Sequence, residues 1–430
     1  MPHSYIYTRS AILLLLLLSS MQGRAQTDTS IVPEKVTLSY YLGLVGSHNL
    51  NLAAARYQVS IAEAAIESAK VFPDPELSIG AYDNQEAKLH LGRGYNAGIS
   101  TTVELGGKRK SRTALANSQW ELSKAQFQDY LRNLRADAVL QYFNAVLQSH
   151  LLQVQQSAYR SMKQLADADA IRFKLGAITA TDAKQSALEA GNLLNDLLQA
   201  EADWKASLLQ LGLNTGKATT DTLLLPIDSF SHLSRNFSLP ALISNARQER
   251  ADALAAKAAK TVADRGLQLA RANRKIDLGF SAGLLFSGVS TNEEAPTPAY
   301  RSISAGLSIP LKFSNIYKGE IKIARLTIKQ TELQYEQVLL QVATEVTQAY
   351  FQYQTAEKQV QQFQSGLLTA GEAILEGKIY SYKRGQTSLL EVLNARRTYN
   401  EVQRSYYQAL YGYAAALVAL ERSAGIWDLK

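Results

Sequence analysis

The chain has 430 residues, a formal charge of +7 and no cysteine. The missing thiol excludes disulfides, thiolate metal sites, a cysteine nucleophile and a lipid-bearing N-terminal cysteine. Its mild basic excess is spread along the chain, which together with an export signal argues against a nucleic-acid partner.

Residues 1–25 read as a cleaved secretory signal. Arg9 precedes the apolar run Ala11 to Leu18, and Gly23-Arg24-Ala25 offers a small-residue cut before Gln26. That run is too short to cross a bilayer, and nothing later supplies about 18 uninterrupted apolar residues.

Beyond the signal, helices are predicted over about 48–70, 108–174, 181–212, 240–272, 319–381 and 388–424. Proline is absent from 76–225 and 311–430, and glycine from 108–175 and 320–365. These are the two residues that helix interiors tolerate worst. A helix over 108–174 is a rod of ~100 Å at about 1.5 Å per residue. Leu326, Leu333 and Leu340 recur at heptad spacing, so such rods bury a seam against neighbours.

Between the helices lie four strand-like segments, about 75–82, 95–105, 275–286 and 300–311. Leu77, Ile79 and Ala81 alternate with polar or small residues in the first, and Phe280, Ala282 and Leu284 do so in the third. Each approaches the ~9–11 residues of a tilted membrane strand. Phe72, Tyr82, Tyr95, Phe286, Tyr300 and Phe313 cluster near strand ends as a candidate aromatic girdle. Lys70, Lys108, Arg109, Lys110, Arg274, Lys275 and Lys312 sit at the helix–strand junctions, a candidate basic belt for lipid phosphate. Four strands cannot close a barrel, and an open edge in lipid costs several kcal/mol per unpaired group. The strands are therefore expected to be shared between protomers. Trimerisation gives twelve strands, while closure alone leaves dimers and tetramers open.

The chain also repeats itself. RFKLGAITATDAKQ, Arg172 to Gln185, returns as SYKRGQTSLLEVLNA, Ser381 to Ala395, and Gly176 and Gly385 lie 209 residues apart. So long a period marks an internal duplication and not a short solenoid repeat.

On FPDPELSIG, VELGGKRKSR, RFKLGAITATDAKQ, LSIPLKFSNIYKGEI and YKRGQTSLLEVLNARRTY, in register across almost the whole mature chain, the protein resembles the TolC family of outer-membrane efflux channels. The likeness is to the branch that serves heavy-metal and multidrug resistance pumps of Gram-negative bacteria. The resemblance implies a mainly α fold with a small membrane β part: a trimeric twelve-stranded β-barrel, four strands per protomer, continued by a long periplasmic α-helical barrel. It further implies an equatorial collar from about 213–240 and the chain ends. It implies a homotrimer in the outer membrane, a passive exit duct that meets a periplasmic adaptor and an inner-membrane pump of the RND type.

By motif position, Gly176 and Gly385 form the periplasmic tip turns and the adaptor contact. Asp182, Tyr382, Thr387, Glu391 and Asn394 form the pore constriction. Glu391 stands where relatives have a ring-forming aspartate, Asn394 where they have a second acid, and Thr387 where some have an arginine of the closing network. Three copies of Glu391 on one axis give a negative constriction that favours cations.

Two other function classes compete. An exported coiled-coil scaffold accounts for the same periodicity. An enzyme is disfavoured, because the five histidines are scattered and no HExxH, GxSxG or P-loop spacing occurs. No cofactor and no metal site are expected, since Cys is absent and Met162 is the only methionine after the signal.

Overall fold

A computed structural model describes residues 32–85, 90–216, 222–231, 233–312 and 317–428. The expected signal, Phe313 and His232 lie outside them. The chain runs through the same sequence of elements twice. The first half holds β1 (Val32–Val36), α1 (Leu38–His48), α2 (Leu50–Lys70), β2 (Glu76–Asp83), β3 (Arg93–Val103), α3 (Lys108–Lys174) and α4 (Ala180–Asn214). The second holds β4 (Thr222–Pro226), α5 (Leu239–Glu249), α6 (Ala251–Asn273), β5 (Leu278–Ser287), β6 (Tyr300–Ser308) and α7 (Lys318–Gln362). A π-helical turn (Phe363–Leu367), α8 (Leu368–Lys383) and α9 (Leu389–Ala424) complete it.

The 67 residues of α3 form an unbroken rod, which the glycine-free, proline-free sequence permits. Its counterpart in the second half is interrupted. Gly366, in the π-helical turn, has φ 123°, so the single helix expected over 319–381 is two helices with a break. Two further breaks depart from expectation. The helix expected from 48 begins at Leu38 and restarts at Leu50, because Asn49 is extended and caps the second segment: its side chain accepts from Leu52 N at 2.8 Å. Arg250 is likewise extended at the α5–α6 junction, but its side chain makes no cap bond. It is buried at 2% exposure and held by Asp252 (2.6 Å) and Glu345 (2.7 Å).

On the strand side, α2, α3, α6 and α7 lie side by side in that order. On the turn side the order is α4, α3, α9, and then α7 continued by α8. The result is a palisade with two open edges. Leu326, Leu333 and Leu340, the heptad stripe of α7, are 54–68% exposed along one edge. Tyr57 and Ile61 of α2, with Leu188 and Leu198 of α4, are exposed along the other.

Both halves meet at one large apolar core around Val36, Tyr41, Tyr142, Leu211, Val346, Tyr413 and Leu417. There β1 pairs with β4 in parallel, Val32 opposite Thr222 and Val36 opposite Pro226. This pairing falls in the expected collar region, but it was not expected as a sheet. Asp228 Oδ2 accepts from Leu38 N at 2.6 Å and lies 2.8 Å from the Tyr142 hydroxyl. A carboxylate just after β4 thus starts α1 of the other half.

Candidate functional site

The second sheet is a four-stranded antiparallel ribbon in the order β2-β3-β5-β6. Its register places Ile79, Ala97, Leu284 and Ile303 in one row across all four strands, and Leu77, Ile99, Ala282 and Ala305 in the next. Tyr95 beside Phe286 continues this face. The opposite face carries rows such as Ser78, Gly98, Gly283 and Ser304. It is crowded: a Cβ on Gly283 would fall 2.9 Å from Ser304 Oγ, and one on Gly306 2.7 Å from Ser281 Oγ. Small residues on one face and large ones on the other suit a sheet that curls with the polar face inward. The apolar face is open to solvent in the protomer, with Ile303 82% and Ile79 78% exposed. Among the described residues, β2 and β6 are unpaired edges.

At the far end, the two glycine turns share the same pair of closing bonds. Gly176 N donates to Phe173 O and Ala177 N to Arg172 O; Gly385 N donates to Tyr382 O and Gln386 N to Ser381 O. This is the Schellman closure, with glycine at φ 71° and 73°. Three residues on, Thr179 and Ser388 cap the returning helices by accepting from Asp182 N and Glu391 N. Asp182 and Glu391 therefore occupy the same place in the two repeats. Both stand in the first helical turn, where the helix dipole favours an acid. Asp182 Oδ2 also accepts from the Thr179 hydroxyl at 2.7 Å.

The expected constriction residues divide. Tyr382 is buried in the tip cluster with Met162, Leu165, Leu193 and Val392. Its hydroxyl donates to Asp169 Oδ1 at 3.0 Å. Arg172 lies 3.5 Å from the same carboxylate and 4.8 Å from the centre of the Tyr382 ring. Burial, then the Asp169 charge, push the tyrosine up to about 12. Burial also raises the Asp169 carboxyl, against the pull of Tyr382 and Arg172. Glu391 is exposed and ion-paired with Lys378 of α8, which holds its carboxyl below the usual range. Thr387 is half-buried just before the cap, and Asn394 is exposed one turn along α9. Neither stands within the Tyr382–Asp169 pair.

Profiles of known families settle what this arrangement belongs to. One matches residues 42–217 and again residues 242–426, once per half, under the description outer membrane efflux protein. The chain belongs to the outer membrane efflux protein family. It is 23% identical over 411 residues to the cobalt-zinc-cadmium resistance protein CzcC of Cupriavidus metallidurans, covering 94% of this chain and 95% of that protein. It is 22% identical over 414 residues to the outer membrane efflux protein BepC of Brucella suis, covering 94% and 88%. Among solved structures, CusC superposes with a TM-score of 0.74 at 18% identity, covering 95% of this chain and 96% of that one. The Campylobacter jejuni CmeC outer membrane channel gives 0.74 at 18%, covering 90% and 85%.

The protein is thus an outer-membrane channel component of an efflux system with a TolC-like fold, and not an enzyme. In this efflux protein the expected basic belt resolves into different tasks. Lys108 is buried and paired with Asp277 at 2.5 Å, so it is a structural cation and not a free one. Lys312 Nζ donates to the carbonyls of Asn273 (2.8 Å) and Lys275 (3.0 Å), closing the end of α6. Lys70 pairs with Glu67, and Arg109 stacks on Phe72 at 3.9 Å. Lys110, Arg274 and Lys275 are exposed.

Three polar residues around these features escaped the sequence reading. Asp169, Lys378 and Asp277 lie outside the motifs. Asp169 nonetheless continues the inward stripe of Ala158, Met162, Leu165 and Ala166 at helical spacing. An acid in phase with an apolar stripe is the signal that marks it.

Proposed function

We propose that three copies of this chain close into one conduit. In it, twelve strands form a pore through the outer membrane, and the palisades form a hollow periplasmic cylinder. The observation that carries this reading is the ribbon with a fully exposed apolar face and two unpaired edges. In water that face exposes leucines and isoleucines worth roughly 1.5–3 kcal/mol each on burial. In lipid the face is satisfied, but the edges are not until another copy pairs with them. The exposed heptad stripe of α7 and the apolar residues of α2 and α4 on the opposite edge support the same closure, one edge of each palisade meeting the other edge of the next.

The conduit is a passive exit duct. A periplasmic adaptor engages the tip turns at Gly176 and Gly385, and an inner-membrane pump of the RND type supplies the cargo. The gate lies at the tip, where Tyr382 is locked to Asp169 and the acids Asp182 and Glu391 line the opening with Thr387 and Asn394 nearby. Residues 1–25 are removed on export, and with no cysteine available the barrel alone anchors the protein.

The mature protein in lipid nanodiscs tests this. The expected result is a trimeric mass and discrete conductance steps in planar bilayers. A monomer that stays in solution without detergent overturns the duct and leaves the exported coiled-coil scaffold.

A further inference from the structure

Where the strands meet the helices there is a recess of about 730 Å³. Arg271 and Arg274 at the end of α6, Lys275 after it, and Arg325 on α7 line it, with Leu105 and Ile276 forming its apolar rim. No ion pair engages these four cations among the described residues, and Glu320, earlier on α7, makes none with Arg325. The two carboxylates nearest in sequence are occupied elsewhere: Glu104 holds Arg112 at 2.8 Å and Asp277 holds Lys108. The gathering of charge is thus uncompensated.

The recess is built and not incidental. Gly106 has φ 74°, and a Cβ there would fall 2.3 Å from Lys275 Cγ, so its missing side chain is what lets the Lys275 stem lie across the junction. Its position is also defined. Val103 pairs with Leu278, and Leu105 and Ile276, two residues beyond each, share their parity. The rim therefore continues the large-residue face of the sheet, the face turned to lipid, and not the serine-glycine face turned to the bore.

We propose that this recess binds the phosphate headgroup of an anionic phospholipid, with the acyl chains running up the apolar strand face from Leu105 and Ile276. The inference rests on the outer-membrane placement proposed above. Guanidinium groups suit phosphate because each presents a planar fork of donors. A cation cluster that opens onto a lipid-facing apolar wall accommodates both parts of such a ligand.

The test uses the full mature protein in vesicles of phosphatidylcholine doped with phosphatidylglycerol, extracted gently and weighed by native mass spectrometry to count retained lipids. Wild type is expected to retain phosphatidylglycerol over phosphatidylcholine. Each basic side chain near an anionic lipid contributes about fivefold, so R274Q/R325Q is expected to lose roughly 25-fold in retention. K322Q/K329Q removes the same charge from α7 outside the recess and is expected to retain lipid as wild type does. Equal retention in R274Q/R325Q and wild type overturns the site. Displacement of the lipid by millimolar inorganic phosphate shows that the recess reads phosphate alone and overturns the lipid assignment. Protein that inserts and conducts without preferring phosphatidylglycerol sinks only this inference. Protein that does not insert sinks the membrane placement with it.

Discussion

Tyr382 and Asp169 show how a tip can be held by one hydrogen bond inside an apolar cluster. Asp169 has no exposure, so its carboxyl depends on the Tyr382 hydroxyl, on Ser186 and on Arg172. Tyr382→Phe keeps the ring in place and removes the donor. Loss of a donor to a buried polar group costs about 1–3 kcal/mol, and amides of residues 165–174 and 380–388 are expected to exchange about ten- to a hundredfold faster with deuterium. Unchanged protection would mean that packing with Met162 and Val392 holds the tip without the bond. Tyr382 was singled out through the family resemblance, by its place just before the Gly385 turn. Asp169 and Lys378 were not, since each acquires its partner only when α8 and α9 fold back beside α3 and each other.

At the scale of the helices, glycines that look alike do different work. Gly176 and Gly385 have open space where a Cβ would stand, so only their left-handed backbone demands glycine. Replacement by alanine is expected to cost about 1 kcal/mol each. Gly366, at φ 123°, occupies backbone space that is essentially closed to other residues. Gly366→Ala is expected to cost more, about 1–3 kcal/mol, or to straighten the break between α7 and α8. Thermal unfolding of the three single variants ranks them, and equal shifts would contradict this division. The sequence held the clue to the break, for the glycine-free stretch that marks the second rod stops at residue 365. The α1–α2 break left a signal that the expected helix from 48 passed over, because Asn49 is a strong capping type. Arg250 left no such signal. It interrupts α5 and α6 because Asp252, Glu345 and Ser423 O hold its guanidinium from three directions, contacts that no local window contains.

At the scale of the assembly, the duplication changes what the charge of the proposed gate means. Asp182 and Glu391 are repeat equivalents, so a trimer brings both sets of acids to the tip. Each Glu391 stands against Lys378, which cancels most of its field. No cation pairs with Asp182 among the described residues. Asp182→Asn is therefore expected to lower cation preference in planar bilayers more than Glu391→Gln does, with reversal potentials under a salt gradient as the readout. The opposite order would mean that Lys378 leaves Glu391 on opening. The long proline-free rods were readable from composition and periodicity, the strands only weakly from their alternation, and the fold class came from the family resemblance. The β1–β4 pair was not readable, because five-residue strands carry little pattern and these two meet only across most of the first half.

That small parallel pair makes the two copies inseparable. Until β4 arrives, β1 has no mate, Leu38 N has no acceptor from Asp228, and Tyr142 faces an unfinished interior. A chain emerging N-terminus first must keep its first copy waiting, apolar surface uncovered, until the second begins. The repeat that gives the molecule its symmetry thus withdraws independence from its halves, and export becomes a period of exposure that lasts until about half of the chain has crossed.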